Sequence, residues 1–173
     1  RQEDTFVPLW KRTKMANESN GKIFISFHVN SNPNKSAHGF ETYLLRPGKN
    51  EDAIEVASRE NEVIKLEDRT YNRYQDLSGE NLIMATMAQS VFLKESEELA
   101  AMIQTEMAKS VKSKNRGVKQ AGFHVLIGAS MPNVLIEAGF LSNRNEEKNL
   151  RNSKYRQVIA NSLLELNYSV FAS

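Results

Sequence analysis

Two short runs of adjacent apolar residues stand out in a chain that elsewhere spaces its apolar positions three or four apart. Ile23-Phe24-Ile25-Ser26-Phe27-His28 and Val134-Leu135-Ile136-Glu137 are too short for helices. They are also too continuous for strands with one wetted face, so they suit strands covered on both sides. Phe40 to Leu45 alternates apolar with polar and is closed by Arg46-Pro47-Gly48, which reads as another strand; Phe123 to Ala129 reads as one more. Helical spacing predicts four longer elements. Residues 5–19 carry Phe6, Leu9, Trp10 and Thr13, with Pro8 near the start and Asn20-Gly21 as the stop. Residues 51–64 carry Ile54, Ala57 and Asn61. Residues 81–109 hold two segments, the second N-capped by Ser96 and bearing Leu99, Met102, Ile103 and Met107, a stripe that reads as core filling. Residues 146–168 carry Tyr155, Ile159, Leu163 and Leu166. The polar stretch from Asn30 to Gly39 reads as a loop, and residues 65–80 show no period.

Strands alternating with helices predict an α/β fold, three layers deep, on a mostly parallel or mixed twisted sheet of about four strands. A length of 173 residues suits one domain, without internal repeat. A formal charge of +2 is too small to argue for nucleic acid. The basic residues between Lys109 and Lys119 read as a solvated helix end and loop rather than a polyanion site. No segment approaches the ~18 consecutive apolar residues of a membrane span. The opening Arg1-Gln2-Glu3-Asp4-Thr5 lacks signal-peptide character and reads as the start of a mature or excised piece. Cysteine is absent, so His, Glu and Asp remain as the metal ligands on offer.

His28 and Glu137 each close an apolar strand, where open α/β sheets bind ligands. Were those strands neighbours, an imidazole able to ligate zinc and a carboxylate able to move a proton would share one cleft. On residue types alone, this competes with a histidine hydrogen-bonded at a strand end and a glutamate capping a helix or paired with a cation. No His-Glu-x-x-His stretch supports a zinc peptidase.

Four stretches then carry a resemblance. They are Arg1 to Asp4 continuing through Leu9, Arg12 and Ala16-Asn17; Ile25-Ser26-Phe27-His28-Val29-Asn30-Ser31; Gly39-Phe40-Glu41-Thr42-Tyr43; and Met131-Pro132-Asn133 through Glu137-Ala138-Gly139-Phe140-Leu141-Ser142-Asn143. In that order they resemble the zinc-dependent N-acetylmuramoyl-L-alanine amidases, peptidoglycan hydrolases of the amidase_3 family. The resemblance implies that His28 is a zinc ligand and Glu137 the catalytic carboxylate. The reaction implied is hydrolysis of the amide between N-acetylmuramic acid and L-alanine of the stem peptide. It implies peptidoglycan as substrate and a periplasmic or extracellular place in the bacterial envelope. Asn30 and Glu41 are read either as substrate-orienting groups or as structural hydrogen-bonding residues.

The same resemblance places the family's other histidine and glutamate ligands in a strand and helix ahead of the region matching Arg1. A complete domain would have roughly six strands. The chain is therefore expected to be the C-terminal portion of a catalytic domain, inactive alone. His38 reads as a loop residue and His124 as a hydrogen-bonded core or edge residue. Some relatives carry an inhibitory helix where residues 61–80 fall, released by an activator protein; Glu62, Glu67, Asp68 and Asp76 are the candidate blocking carboxylates. The alternative is a non-catalytic module of degenerate amidase fold that binds peptidoglycan or a partner.

Overall fold

Val134-Leu135-Ile136 lies at the heart of a strand whose eight residues, Asn133–Phe140, are all buried in the computed structural model, which describes residues 5–67 and 80–166. This strand, β4, is the last of four, after β1 (Phe24–Asn30), β2 (Phe40–Leu45) and β3 (Asn115–Ala121), in the sheet order β1-β4-β2-β3. β2 and β4 run antiparallel, with Glu41 opposite Glu137 and Tyr43 opposite Leu135. β1 and β4 run in the same direction: Phe24 N–H donates to Pro132 O at one end and Leu141 N–H to Asn30 O at the other. The sheet is thus mixed, as predicted.

The helices are α1 (Leu9–Glu18), α2 (Glu51–Asn61), α3 (Glu80–Ala88), α4 (Leu93–Ser110), α5 (Arg144–Arg151) and α6 (Ser153–Leu164). Several predicted boundaries move for local reasons. α1 begins after Pro8, and Phe6 stays outside it, half exposed. α2 tightens into a 3-10 turn over Glu62–Leu66; it buries Ala53, Val56 and Ala57, while Ile54, placed on the core face by its spacing, is 51% exposed. Ser96 does not cap a helix but lies buried within α4. The long C-terminal helix is two helices, because Asn152 leaves the helical region and its side chain accepts from Lys154 N.

The larger correction concerns residues 115–133. Phe123 to Ala129 is not a strand: it holds a 3-10 turn over His124–Leu126, and the remaining strand is β3, which overlaps the stretch from Lys109 to Lys119 read as a solvated helix end and loop. Side-chain amides hold the 122–130 backbone in place of a ladder. Asn61 donates to Gly122 O and accepts from His124 N, Gln89 donates to Leu126 O and Ala129 O, and Asn17 donates to Gly128 O while accepting from Ser130 N. Backbone groups paired in this way have no need of a neighbouring strand. Phe123, Val125 and Leu126 are buried all the same, which is why the run looks like a core strand. β3 hides for the opposite reason. It lies at the sheet's edge, where charged residues are the rule, and Gly117 takes a left-handed φ of +79° within it.

The chain divides into two compact units. One draws on Arg1–Phe24, Leu45–Lys94 and Gln120–Asn133, the other on Ile25–Leu44, Glu95–Lys119 and Val134–Ser173. In the second, Leu99, Ile103 and Met107 of α4 are buried, and Gln104 Nε2 donates to Thr42 Oγ1 at 2.8 Å. Thr42 alternates with Glu41 and Tyr43 along β2, so α4 covers the face away from those two. Ile25, Phe27 and Val29 of β1 face Ile159, Ala160 and Leu163 of α6 across an apolar cavity of about 530 Å³. The alternate residues Ser26, His28 and Asn30 are left for the other face. No helix among the described residues is long and apolar enough to cross a membrane.

Candidate metal and catalytic site

One face of the sheet in the second unit carries a row of polar groups, one each from β1, β4 and β2 and two from β3. His28 projects from β1, Glu137 from β4, Glu41 from β2, and Arg116 and Lys119 from β3. The register fixes the middle of the row. Residues directly opposite on antiparallel strands share a face with their Cβ atoms about 5 Å apart, which sets Glu41 beside Glu137. At the other side of Glu137, its carboxylate and the His28 imidazole offer ligand atoms within 4.8 Å of one another. His28 is half-buried, and its Nε2 lies 2.9 Å from Ser26 Oγ, two residues back on the same face, a contact that fixes the ring's orientation. Glu137 is 0% exposed.

Two neighbouring carboxylates in a low-dielectric interior repel, so one of them must be neutralised from elsewhere. Glu41 is. Its Oε1 accepts from Asn30 Nδ2 at 2.9 Å and Tyr43 Oη at 2.8 Å. Its Oε2 accepts from Arg116 Nε at 2.8 Å and Lys119 Nζ at 2.6 Å. Burial alone would push the Glu41 carboxyl upward, but the bonds from Lys119, Arg116 and Tyr43 together hold it below the usual carboxylate range. Tyr43 is driven the other way, by its own burial first and then by the Glu41 charge, so it remains a neutral donor.

A second buried carboxylate ties the strand ends together. Asn143 caps α5 by accepting from Asn145 N and Glu146 N, which turns Glu146 back toward the sheet. Glu146 then accepts from Gly39 N at 2.9 Å, Phe140 N at 2.8 Å and Ser113 Oγ at 2.5 Å. Gly39 has φ +114°, and a Cβ there would lie 2.2 Å from Lys114 O, so glycine is required at the entry to β2. Ser142 Oγ accepts from Asn32 N and Asn143 Nδ2 donates to Lys35 O, pinning the end of β4 to the loop after β1. Truncating Glu146 to alanine is expected to cost about 2–4 kcal/mol by stranding buried N–H donors, measured as a lowered denaturation midpoint at unchanged m-value.

The residues singled out in the sequence separate into groups. His28 and Glu137 come together. Asn30 and Glu41 bond to each other, both buried. His38 is exposed, its Nδ1 2.9 Å from Ser36 O. His124 belongs to the amide-held segment, and its burial lowers the affinity of the ring for a proton. Glu62 is exposed and pairs with Lys65, while Glu67 accepts from Leu9 N at the start of α1. Asp68 and Asp76 lie outside the described residues. Arg116 and Lys119 escaped the sequence reading, which counted them among solvated charges. Their side chains are only 22% and 16% exposed, and each pairs with Glu41, Arg116 through Nε and Lys119 through Nζ. Their spacing gives no period, but two cations one turn-like interval apart beside a glycine were the available signal.

The chain matches the family Amidase_3, N-acetylmuramoyl-L-alanine amidase, over residues 1–165. It belongs to that family. Among curated relatives, it is 29% identical over 95% of its length to N-acetylmuramoyl-L-alanine amidase AmiA of Escherichia coli K12, and 28% identical over 95% to AmiC of E. coli O6:H1. It spans 57% and 39% of those two proteins. Among solved structures, the N-acetylmuramoyl-L-alanine amidase of Clostridium difficile 630 is similar at a TM-score of 0.66 and 26% identity, covering all of this chain and 71% of that one. The α/β fold with its mixed sheet is therefore the fold of these amidase domains.

Proposed function

We propose that this chain carries the catalytic face of a peptidoglycan hydrolase that cleaves the amide between N-acetylmuramic acid and the L-alanine of the stem peptide. The observation that supports this most is the meeting of His28 and Glu137, ligand atoms within 4.8 Å, on one face of two adjoining strands. An imidazole and a carboxylate at that separation would set a zinc ligand beside a group able to take a proton from water. His28 would hold the ion as one ligand of a set that this chain need not supply alone. Zinc bound there supplies electrophilic polarisation of a carbonyl and makes water acidic enough to lose a proton near neutrality.

Glu137 then has two tasks. Its carboxylate accepts the proton of the attacking water, and the resulting acid returns that proton to the leaving amide nitrogen, which departs as the amine of alanine. Ser26 keeps the imidazole oriented throughout. The Glu41 cluster keeps a second negative charge from being unneutralised beside Glu137. The substrate's location makes the site of action the bacterial envelope, periplasmic or extracellular, and residues 61–80 are the region where a regulating partner protein would act.

Metal analysis of the complete protein tests the ligand role directly. One zinc per chain is expected in the parent protein, with a loss of about 10- to 100-fold in affinity or more in His28→Ala. A parent protein that hydrolyses its substrate at full rate after its metal has been stripped by chelation would contradict the reading.

A further inference from the structure

The cluster around Glu41 holds more positive charge than Glu41 requires. One carboxylate receives two cations, and its other oxygen is already satisfied by Asn30 and Tyr43. Lys119 alone would neutralise it. Arg116 engages it through Nε only, and among the described residues neither of its terminal amino groups donates a hydrogen bond. The Arg116 guanidinium carbon lies 5.2 Å from the centroid of the Phe140 ring, and Lys119 Nζ lies 5.8 Å from that of Tyr43, cation–π contacts that help to fix both side chains. Both side chains retain partial exposure, 22% and 16%, so an incoming group can reach them. A fixed guanidinium with its terminal amino groups unspent presents the fork that matches a carboxylate.

Position completes the case. Arg116 and Lys119 lie on β3, two strands from Glu137 and on the side opposite His28, at strand spacings of about 4.8 Å. The row therefore runs from metal ligand to base over one strand spacing and from base to cation over about 10 Å. If the scissile amide lies at His28 and Glu137, the group it leads to on the peptide side, one residue beyond alanine, reaches this cation at about 3.5 Å per extended residue.

Resting on the amidase reading above, we propose that Arg116 and Lys119 form an anion subsite that receives a carboxylate carried by the residue following alanine in the substrate peptide. Glu41 acts as a positioning residue: it holds the two cations in place and leaves one positive charge in excess for the substrate. The subsite would select peptides with a free carboxylate there over those in which it is amidated.

The test uses the complete, zinc-loaded protein and two synthetic N-acetylmuramoyl-L-alanyl peptides, identical except that the next residue bears a carboxylate in one and a carboxamide in the other. The kcat/KM ratio is expected to favour the carboxylate by about 10- to 100-fold. Arg116→Gln, which leaves Lys119 to neutralise Glu41, should collapse that ratio toward one, with the loss falling on the carboxylate peptide. Equal cleavage of both peptides by the parent protein overturns the subsite and leaves the amidase reading standing, whether or not the variant folds. A variant that loses both activities equally, with the ratio kept, also overturns it. Cleavage of neither peptide overturns the amidase reading and the subsite with it.

Discussion

Glu137→Gln is expected to lower turnover of muramyl-peptide substrates by about 10²- to 10⁴-fold, the usual share of a positioned general base. The exchange keeps the side chain's shape and removes only its capacity to take a proton. It should leave the fold intact, because Glu137 faces Glu41 across the β2–β4 pair and loss of one of two opposed carboxylates relieves repulsion. Turnover and the denaturation midpoint measured on the same preparation separate the two effects. A variant that keeps the parent rate would remove Glu137 from the chemistry, and one that loses activity only in step with its midpoint would assign it a structural part.

Glu41→Leu should have the largest effect on stability. The carboxylate is 1% exposed and receives four donors, two of them charged. Deleting the anion of a buried pair leaves its cations uncompensated at a cost of about 3–5 kcal/mol. Acid should reveal the same interaction without a substitution. The folded-state Glu41 carboxyl sits below its ordinary value, so its contribution is complete above the ordinary carboxylate range. It is lost as pH falls beneath that range through the depressed folded value. Urea midpoints across this interval should slope downward with acidification in the parent protein and show a shallower slope in Glu41→Leu. Parallel slopes would contradict the charge assigned to Glu41.

The two ends of the row across the sheet differed in how plainly the sequence displayed them. Glu137 was legible because it follows an apolar run in a strand buried on both faces, although β4 continues past it to Phe140. His28 was legible from a similar run, but β1 lies at the sheet's edge and is not covered on both sides as expected: Phe27 is 49% exposed. Their adjacency was not written in either run; it comes from β1 pairing with β4 across a large gap in sequence, which periodicity does not encode. Arg116 and Lys119 were illegible for a different reason. An edge strand needs no apolar alternation, and a cation committed to a buried carboxylate looks, in sequence, like one in water. The misplaced strand at 123–129 shows the converse: Phe123, Val125 and Leu126 satisfy the core without joining the sheet because Asn17, Asn61 and Gln89 take over the backbone's hydrogen bonds.

The most direct measurement is the chemistry of the new chain ends when the complete protein digests purified peptidoglycan. Hydrolysis at the proposed amide releases stem peptides with a free amino-terminal alanine and leaves glycan strands that keep their lactyl carboxylates, both resolved by amine labelling and mass spectrometry. New reducing sugar ends, new amine groups on residues other than alanine, or peptidoglycan bound but left intact would contradict it.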